Sequence, residues 1–365
     1  MPAQLDEVGL HFVVGLSTTH LTLEEEQLLA ELRPSGIILF SHNIDRQSGA
    51  AWPEALYLLI ESARAAIGRD RIIVAIDHEG GAVQRLPAPV SHFPAAFCWG
   101  DQAADVGQAM GRELRLLGCN LNFAPVIDVL SNSENSVIGK RAFSSDPQEV
   151  AERGLAFLKA MESAGVFGCL KHFPGHGSTR ADSHVELPVV SASVAELVAR
   201  DIRPFRALLD QTSMVMTAHV LYSELDPDYP ATLSQRIIHE LLREEFNYSG
   251  VVITDDLGMG ALSGISSYEI ARRVLLADVD LLLVGKAENE IPLAMARRLA
   301  EEMLELFAKS ELGEAHVLDS RQRVQRFLAK LPAAGAKIHA ELENCCMRNL
   351  ELVSALGRKK NLALN

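Results

Sequence analysis

Short apolar runs recur along the chain, separated by longer segments in which apolar residues return at the period of a helix. A short apolar run bounded by turn residues is typical of a strand buried on both faces, as in parallel sheets. The pattern predicts eight strands: Phe12–Leu16, Gly36–Phe40, Ile72–Ile76, Asn120–Ala124, Gly168–Leu170, Met214–Thr217, Val251–Thr254 and Asp280–Val284.

A helical pattern follows each predicted strand. The predicted helices are Thr22–Leu32, Trp52–Ile67, Ala103–Leu117, Pro147–Ala164, Val194–Leu209, Ser234–Phe246, Ser267–Ala277 and Glu288–Lys309. Eight successive β–α units favour an α/β fold in which a parallel sheet closes into a single (β/α)8 TIM barrel. A doubly wound open sheet is the structural alternative. No Gly-x-Gly-x-x-Gly follows the first strand to support a dinucleotide site there.

We expect the barrel to occupy residues 1–332, and residues 333–365 to form a C-terminal helical tail. The helical pattern of the tail runs from Lys337 to Leu356, and its role is unassigned. A helix packed on the outside of the barrel is the expected arrangement, with a dimer contact as the alternative. The protein is therefore expected to be a monomer or a weak dimer.

Composition narrows the class of function. The net charge of −14 over 365 residues disfavours nucleic acid and anionic membranes as partners. The five cysteines are scattered and odd in number, which indicates free thiols rather than a disulfide framework or a zinc ribbon. The acidic N-terminus has no basic region followed by a long apolar run, so we expect a cytoplasmic protein without a signal peptide.

The stretch from Lys171 to His184 concentrates reactive side chains where the helix and strand patterns break at Pro174 and two glycines. Asp182 and His184 are two residues apart, so in an extended segment they point the same way. A carboxylate placed so can hold one imidazole nitrogen and leave the other for proton transfer. His172 and His176 have the spacing of a helical metal pair, but the proline and glycine between them disfavour that geometry.

Other ionisable residues gather at predicted strand ends. Since active sites of (β/α)8 barrels lie at the carboxyl ends of the strands, these side chains should meet at one mouth. Taken singly, each has a structural explanation, such as a helix cap for an aspartate or a surface position for an arginine. The residues concerned are Asp77 and Arg85 after the third strand, Arg141 after the fourth, Lys171 and His172 at the fifth, His219 after the sixth, and Asp255 and Asp256 after the seventh.

The stretch as a whole resembles the signature of glycoside hydrolase family 3, KHFPGHG, four variable residues, then DSH. In particular it looks like the single-domain β-N-acetylglucosaminidases that bacteria use in peptidoglycan recycling. Three further segments fit the resemblance, which spans roughly residues 10 to 330: Asp77 to Arg85 looks like D-x-E-G-G-x-V-Q-R, Gly139 to Phe143 like G-x-R-[SA]-F, and Thr254-Asp255-Asp256 like [ST]-D-[DWA]. Ala82 departs from the arginine common in close relatives, outside the sugar-contacting positions.

The resemblance implies a role for each matched residue. Asp255, rather than Asp256, would be the nucleophile that forms a covalent glycosyl-enzyme intermediate. His184, oriented by Asp182, would be the acid/base. The remaining matched residues would bind the sugar: Asp77, Arg85, Arg141, Lys171 and His172.

The implied function is a retaining exo-β-N-acetylglucosaminidase acting on peptidoglycan fragments such as GlcNAc-anhydroMurNAc, without cofactor or metal. A phosphorylase of the same family is one alternative. A metal-dependent barrel hydrolase using His172, His176 and Asp255 is another, and a catalytically silent sugar-binding barrel is a third. The expected partner is a small carbohydrate.

Overall fold

The structure, a computed structural model, describes residues 5–179, 183, 185–287, 290–309, 314–332 and 341–362. Within these residues the strands are β1 (Phe12–Gly15), β2 (Gly36–Leu39), β3 (Ile73–Ile76), β4 (Leu121–Asn122), β5 (Phe167–Gly168), β6 (Leu170–Phe173), β7 (Val189–Val190), β8 (Met214–Thr217), β9 (Leu221–Tyr222), β10 (Val251–Ile253) and β11 (Leu282–Val284). Each predicted strand overlaps one of these.

Parallel pairing organises the strands. Six form one sheet in the order β11-β1-β2-β3-β4-β5, three form a second in the order β10-β8-β6, and β7 pairs with β9. Isolated parallel bridges, Ile253 with Leu281 and Val126 with Lys171, connect the strands of the two larger sheets. Gly36 is needed at its position, because a Cβ there would lie 2.1 Å from the carbonyl oxygen of Ile73 on the neighbouring strand. The predicted α/β fold with parallel strands is confirmed.

Helices separate most of these strands. They are α1 (Leu5–Gly9), α2 (Leu23–Leu32), α3 (Trp52–Ile67), α4 (Ala103–Leu116), α5 (Pro147–Ser163), α6 (Val194–Ala199), α7 (Arg203–Leu208), a π-helical segment (Arg236–Glu245), α8 (Ser267–Leu276), α9 (Pro292–Ala308), α10 (Glu314–Lys330) and α11 (Leu342–Leu362). Thr22 caps α2: its side chain accepts from the backbone N–H of Glu25, and the Glu25 side chain accepts from the backbone N–H of Thr22 in return.

Three features differ from the sequence prediction. The single helix expected over Val194–Leu209 is two short helices, because Pro204 stands in the first turn of α7 and cannot continue α6. Helix α10 and the β7–β9 pair were not predicted. Strand β6 continues through Lys171 and His172 to Phe173, so those two side chains project from a strand rather than follow one.

The described part of the tail is helical from Leu342 to Leu362, and α11 packs against α4. The predicted helix began at Lys337, and residues 333–340 lie outside the described part. Among the described helices, none is long and apolar enough to cross a membrane. The division into a barrel domain and a tail at residue 332 stays a prediction.

Candidate active site

One pocket collects six of the eight ionisable residues expected at the strand ends, whereas His219 and Asp256 do not line it. Asp77, Arg85, Arg141, Lys171, His172 and Asp255 all line it. The cavity has a volume of about 100 Å³ and opens to solvent. The sequence prediction that these six side chains converge is therefore met, although their roles are not tested by their positions.

Lys171 and Arg141 are held at the pocket wall by two carboxylates. Nζ of Lys171 lies 2.8 Å from Oδ1 of Asp77 and 2.6 Å from Oε1 of Glu79. Arg141 grips the same Glu79 in a bidentate pair, with Nε 2.7 Å from Oε2 and Nη2 2.9 Å from Oε1. Arg85 approaches Asp77 less closely, at 3.7 Å. Bidentate, charge-assisted contacts of this kind fix side-chain geometry before a ligand arrives.

Glu79 is the buried centre of this network. Its side chain is 4% exposed, and burial alone would raise its pKa. The positive charges of Arg141 and Lys171 outweigh burial and hold the pKa of Glu79 well below its ordinary value. For Arg141, burial alone would lower the pKa, but Glu79 keeps it raised. The three side chains therefore stay ionised together.

A second buried carboxylate, Asp128, orients His172. Oδ2 of Asp128 accepts from Nδ1 of His172 at 2.8 Å, and Oδ1 accepts from the backbone N–H groups of His172 and His176 at 3.2 and 2.7 Å. Against the effect of burial, His172 and His176 keep the pKa of Asp128 low. Because Nδ1 carries the proton donated to Asp128, Nε2 of His172 is the nitrogen that can meet a ligand.

His176 is a structural residue of the following loop. Its Nδ1 is 3.0 Å from Oγ1 of Thr179 and its Nε2 is 3.1 Å from Oγ of Ser183. Burial, followed by the nearby charge of His172, lowers the pKa of His176 to about 4. Both of its nitrogens are thus engaged and the ring is neutral. Across the described residues, no group of three His, Cys, Asp or Glu side chains is placed to hold a metal ion.

The two adjacent aspartates after β10 have different environments. Oδ1 of Asp255 accepts from the backbone N–H of Asp256 at 2.8 Å. Burial alone would raise the pKa of Asp255, but His172, His219, that N–H and Lys171 together hold it low. Oδ1 of Asp256 instead accepts from the N–H groups of Gly258, Gly285 and Lys286, and burial raises the pKa of Asp256 to about 6. Of these two aspartates, Asp255 is therefore the one that lines the pocket with a lowered pKa, and Asp256 anchors a loop.

Asp182 and His184, the predicted acid/base pair, lie outside the described residues. The inner half of their loop is described, and it is tightly packed. A Cβ on Gly177 would lie 1.7 Å from the carbonyl oxygen of Val129, and Gly175 has φ +132° with a would-be Cβ 2.7 Å from Cβ of Asp201. The two glycines allow close approach of the loop to its neighbours.

Comparison with known proteins decides the family. Residues 3–327 match the sequence model of the glycosyl hydrolase family 3 N terminal domain. The chain belongs to glycosyl hydrolase family 3. It is 36% identical over 282 residues to a beta-hexosaminidase of Idiomarina loihiensis, covering 74% of this chain and 82% of that protein. The prediction of a glycoside hydrolase of the β-hexosaminidase type is confirmed.

Solved family 3 structures agree with this. A β-N-acetylglucosaminidase from Paenibacillus sp. FPU-7 superposes with a TM-score of 0.81 at 30% identity, covering 95% of this chain and 68% of that one. NagZ from Neisseria gonorrhoeae, solved with N-trifluoroacetyl-D-glucosamine, gives a TM-score of 0.74 at 30% identity, covering 97% and 98%. The chain thus spans nearly the whole length of the Neisseria gonorrhoeae protein.

Two carboxylates of this family 3 site, Glu79 and Asp128, were not predicted from the sequence to be functional groups. Glu79 stands two residues after Asp77, and that spacing could have placed both carboxylates on one face. Asp128 interrupts the apolar run from Phe123 to Val129, and a lone carboxylate in such a run requires a buried partner. That partner is His172, which lies 44 residues further along the chain. No local sequence pattern links the two residues.

Proposed function

We propose that the chain is a retaining exo-β-N-acetylglucosaminidase that releases terminal β-linked N-acetylglucosamine from peptidoglycan fragments such as GlcNAc-anhydroMurNAc. The observation that carries the proposal is the convergence of Asp255 with five predicted sugar-binding side chains in one pocket. The names of the family 3 relatives support N-acetylglucosamine as the sugar that is released.

Asp255 is suited to nucleophilic attack on the anomeric carbon. Oδ1 is held by the backbone N–H of Asp256, which leaves Oδ2 to form the glycosyl bond. Its lowered pKa keeps it ionised near neutral pH. In the first step the C1–Oδ2 bond forms, the bond from C1 to the aglycone oxygen breaks, and that oxygen takes a proton. In the second step water gives up a proton as its oxygen attacks C1, and the C1–Oδ2 bond breaks to release the sugar. We assign the proton transfers to His184, oriented by Asp182, on the signature alone.

The other residues would bind the sugar as a preorganised wall. Among the described residues, Asp77 and Glu79 accept two of the three N–H donors of Lys171, so the third can meet a sugar hydroxyl. Nε2 of His172 is directed by Asp128, and Arg85 and Arg141 supply further N–H donors. The pocket therefore offers both donors and acceptors to a polyhydroxylated ligand.

A closed (β/α)8 barrel is part of the proposal. The isolated bridges join β10 to the residue before β11, and β6 to the segment after β4, which is the continuity that one closed ring of parallel strands requires. Residues 1–332 would then be the catalytic domain. A cytoplasmic location and a monomeric or weakly dimeric state also stay predictions.

The deciding experiment is incubation with an aryl β-N-acetylglucosaminide and with the matching aryl β-glucoside, each with and without phosphate. We expect kcat/KM to be far higher on the N-acetylglucosaminide, with free β-N-acetylglucosamine as first product. Equal kcat/KM on the two substrates would indicate a β-glucosidase. N-acetylglucosamine 1-phosphate as product would establish the phosphorylase, and activity lost to a chelator and regained with metal would establish the metal-dependent hydrolase.

A further inference from the structure

Helix α11 carries a buried stripe with one polar member. Leu342, Cys346, Asn349, Val353 and Leu356 follow one another at alternating spacings of four and three residues, the period of one helix face. Leu342, Cys346 and Leu356 are buried, and Val353 packs against the same core. Asn349 is the amide in the middle of this apolar face. A polar residue at a central packing position fixes the register of one helix on another.

The partner of Asn349 is a buried carboxylate on α4. Nδ2 of Asn349 donates to Oε1 of Glu113 at 2.7 Å, and Glu113 is only 1% exposed. Glu113 also accepts from Ser91, through the hydroxyl at 2.5 Å and the backbone N–H at 3.0 Å. Glu113 thus ties the C-terminal helix to the segment that contains Ser91.

That segment is the returning arm of the loop that begins at Asp77. The carbonyl oxygen of Phe93, two residues after Ser91, accepts from the backbone N–H of Gly81 at 2.9 Å and from Nε2 of Gln84 at 3.2 Å. Gly81 and Gln84 belong to the outgoing arm, which carries Asp77, Glu79 and Arg85 into the pocket. Hydrogen bonds joined by short stretches of backbone therefore connect α11 to the proposed sugar-binding wall.

We infer that Asn349 and Glu113 are positioning residues for the substrate site: the amide sets the register of α11 on α4, and the carboxylate holds the loop from Asp77 to Pro94 in its binding geometry. The inference rests on the proposed function in taking this loop as the sugar-binding one. It gives the C-terminal tail a role in substrate affinity.

Three variants separate positioning from simple stability. Asn349→Asp places a second carboxylate against Glu113 and breaks the contact by repulsion. In the double variant Glu113→Gln with Asn349→Asp, the new amide nitrogen can donate to the new carboxylate and to the Ser91 hydroxyl, while the amide oxygen still accepts from the backbone N–H of Ser91. The contacts among the three residues are thereby restored. Glu351→Ala, at an exposed position of the same helix, is the matched control.

For Asn349→Asp we expect KM on the aryl N-acetylglucosaminide to rise about three- to tenfold, the loss of roughly one hydrogen bond, with kcat within about twofold. The double variant should return KM to the value of the control. Hydrogen exchange measured on peptides covering residues 79–95 should be faster in Asn349→Asp than in Glu351→Ala, and restored in the double variant.

The inference would be overturned if Asn349→Asp kept the wild-type KM and lost activity only because a smaller fraction of the enzyme was active. Exchange in residues 79–95 equal to that of the control would also overturn it. If the wild-type chain does not turn over N-acetylglucosaminides at all, the proposed function fails, and the exchange measurement still tests whether Asn349 and Glu113 position the loop.

Discussion

His172 and Asp128 form a buried pair in which Nδ1 donates to Oδ2 over 2.8 Å. Asp128 is fully buried and, unlike His172, is not among the described residues that line the pocket. Carboxylates in this position fix the tautomer and orientation of an imidazole. The ligand-facing properties of His172 are therefore set by a residue that cannot itself touch the sugar.

The first prediction concerns this pair. In Asp128→Asn, Oδ1 can still accept from the two backbone N–H groups, but the amide replaces the acceptor for Nδ1. We expect kcat/KM to fall roughly tenfold to a hundredfold, the worth of a hydrogen bond to a charged group, with the fold retained. Steady-state kinetics beside the circular dichroism spectrum of each protein checks this. Wild-type kcat/KM in Asp128→Asn would show that the orientation of His172 is unimportant.

The second prediction separates the adjacent aspartates. Asp255→Ala should lose nearly all turnover, while Asp256→Asn should retain most of it, because its Oδ1 can still accept from the loop N–H groups. A slow substrate such as a 5-fluoro-N-acetylglucosaminyl fluoride should label the wild-type chain, and mass spectrometry of the peptides should find the sugar on Asp255. A label on Asp256 would reverse the assignment.

The third prediction uses the raised pKa of Asp256. Its carboxyl titrates near 6 when folded and near 3.8 when unfolded, so its contribution to stability is present at low pH and is lost as pH rises through about 6. The melting temperature of Asp256→Asn relative to wild type should therefore increase between pH 4 and pH 7. A difference that stays constant over this range would mean that Asp256 is not buried as the structure has it.

The fourth prediction concerns Glu79, for which the sign is opposite. Its pKa is lowered from the ordinary value of 4.5, so the stability it contributes is present above that value and declines as pH falls below it. Glu79→Gln removes the negative charge that Lys171 and Arg141 share. We expect the free energy of unfolding to fall by about 3 kcal/mol at pH 7. The difference in unfolding free energy between wild type and Glu79→Gln should become smaller below pH 4.5, as measured by chemical denaturation at a series of pH values.

The last prediction tests His184, which the structure does not describe. His184→Ala should lower kcat/KM more for aryl leaving groups of high pKa than for activated ones, because an activated group departs with little protonation. Asp182→Asn should act in the same direction and more weakly than the about 10⁴-fold loss of the comparable serine-protease change. A loss independent of leaving-group pKa would exclude His184 as the proton donor.

The sequence predicted the strands well because each is a short apolar run, and it predicted the convergence of Asp77, Lys171 and Asp255 because parallel strands end at one edge. It did not predict α10, in which the described buried apolar side chains are Val324, Phe327 and Leu328, all close to one end of the helix. Nor could it pair Asn349 with Glu113, which are 236 residues apart. Local sequence patterns indicate which residues are buried and at which end of a strand they lie. The partners of buried polar groups, in contrast, depend on how the whole fold assembles.

The described residues that line the pocket include three carboxylates, Asp77, Glu79 and Asp255, and three cations, Arg85, Arg141 and Lys171. Their formal charges cancel, and the cations are already held by Asp77 and Glu79. Screening by added salt acts on net long-range attraction, and a neutral sugar meeting a neutral wall has none. The affinity of this site for its sugar should therefore be nearly the same in dilute buffer and in concentrated salt.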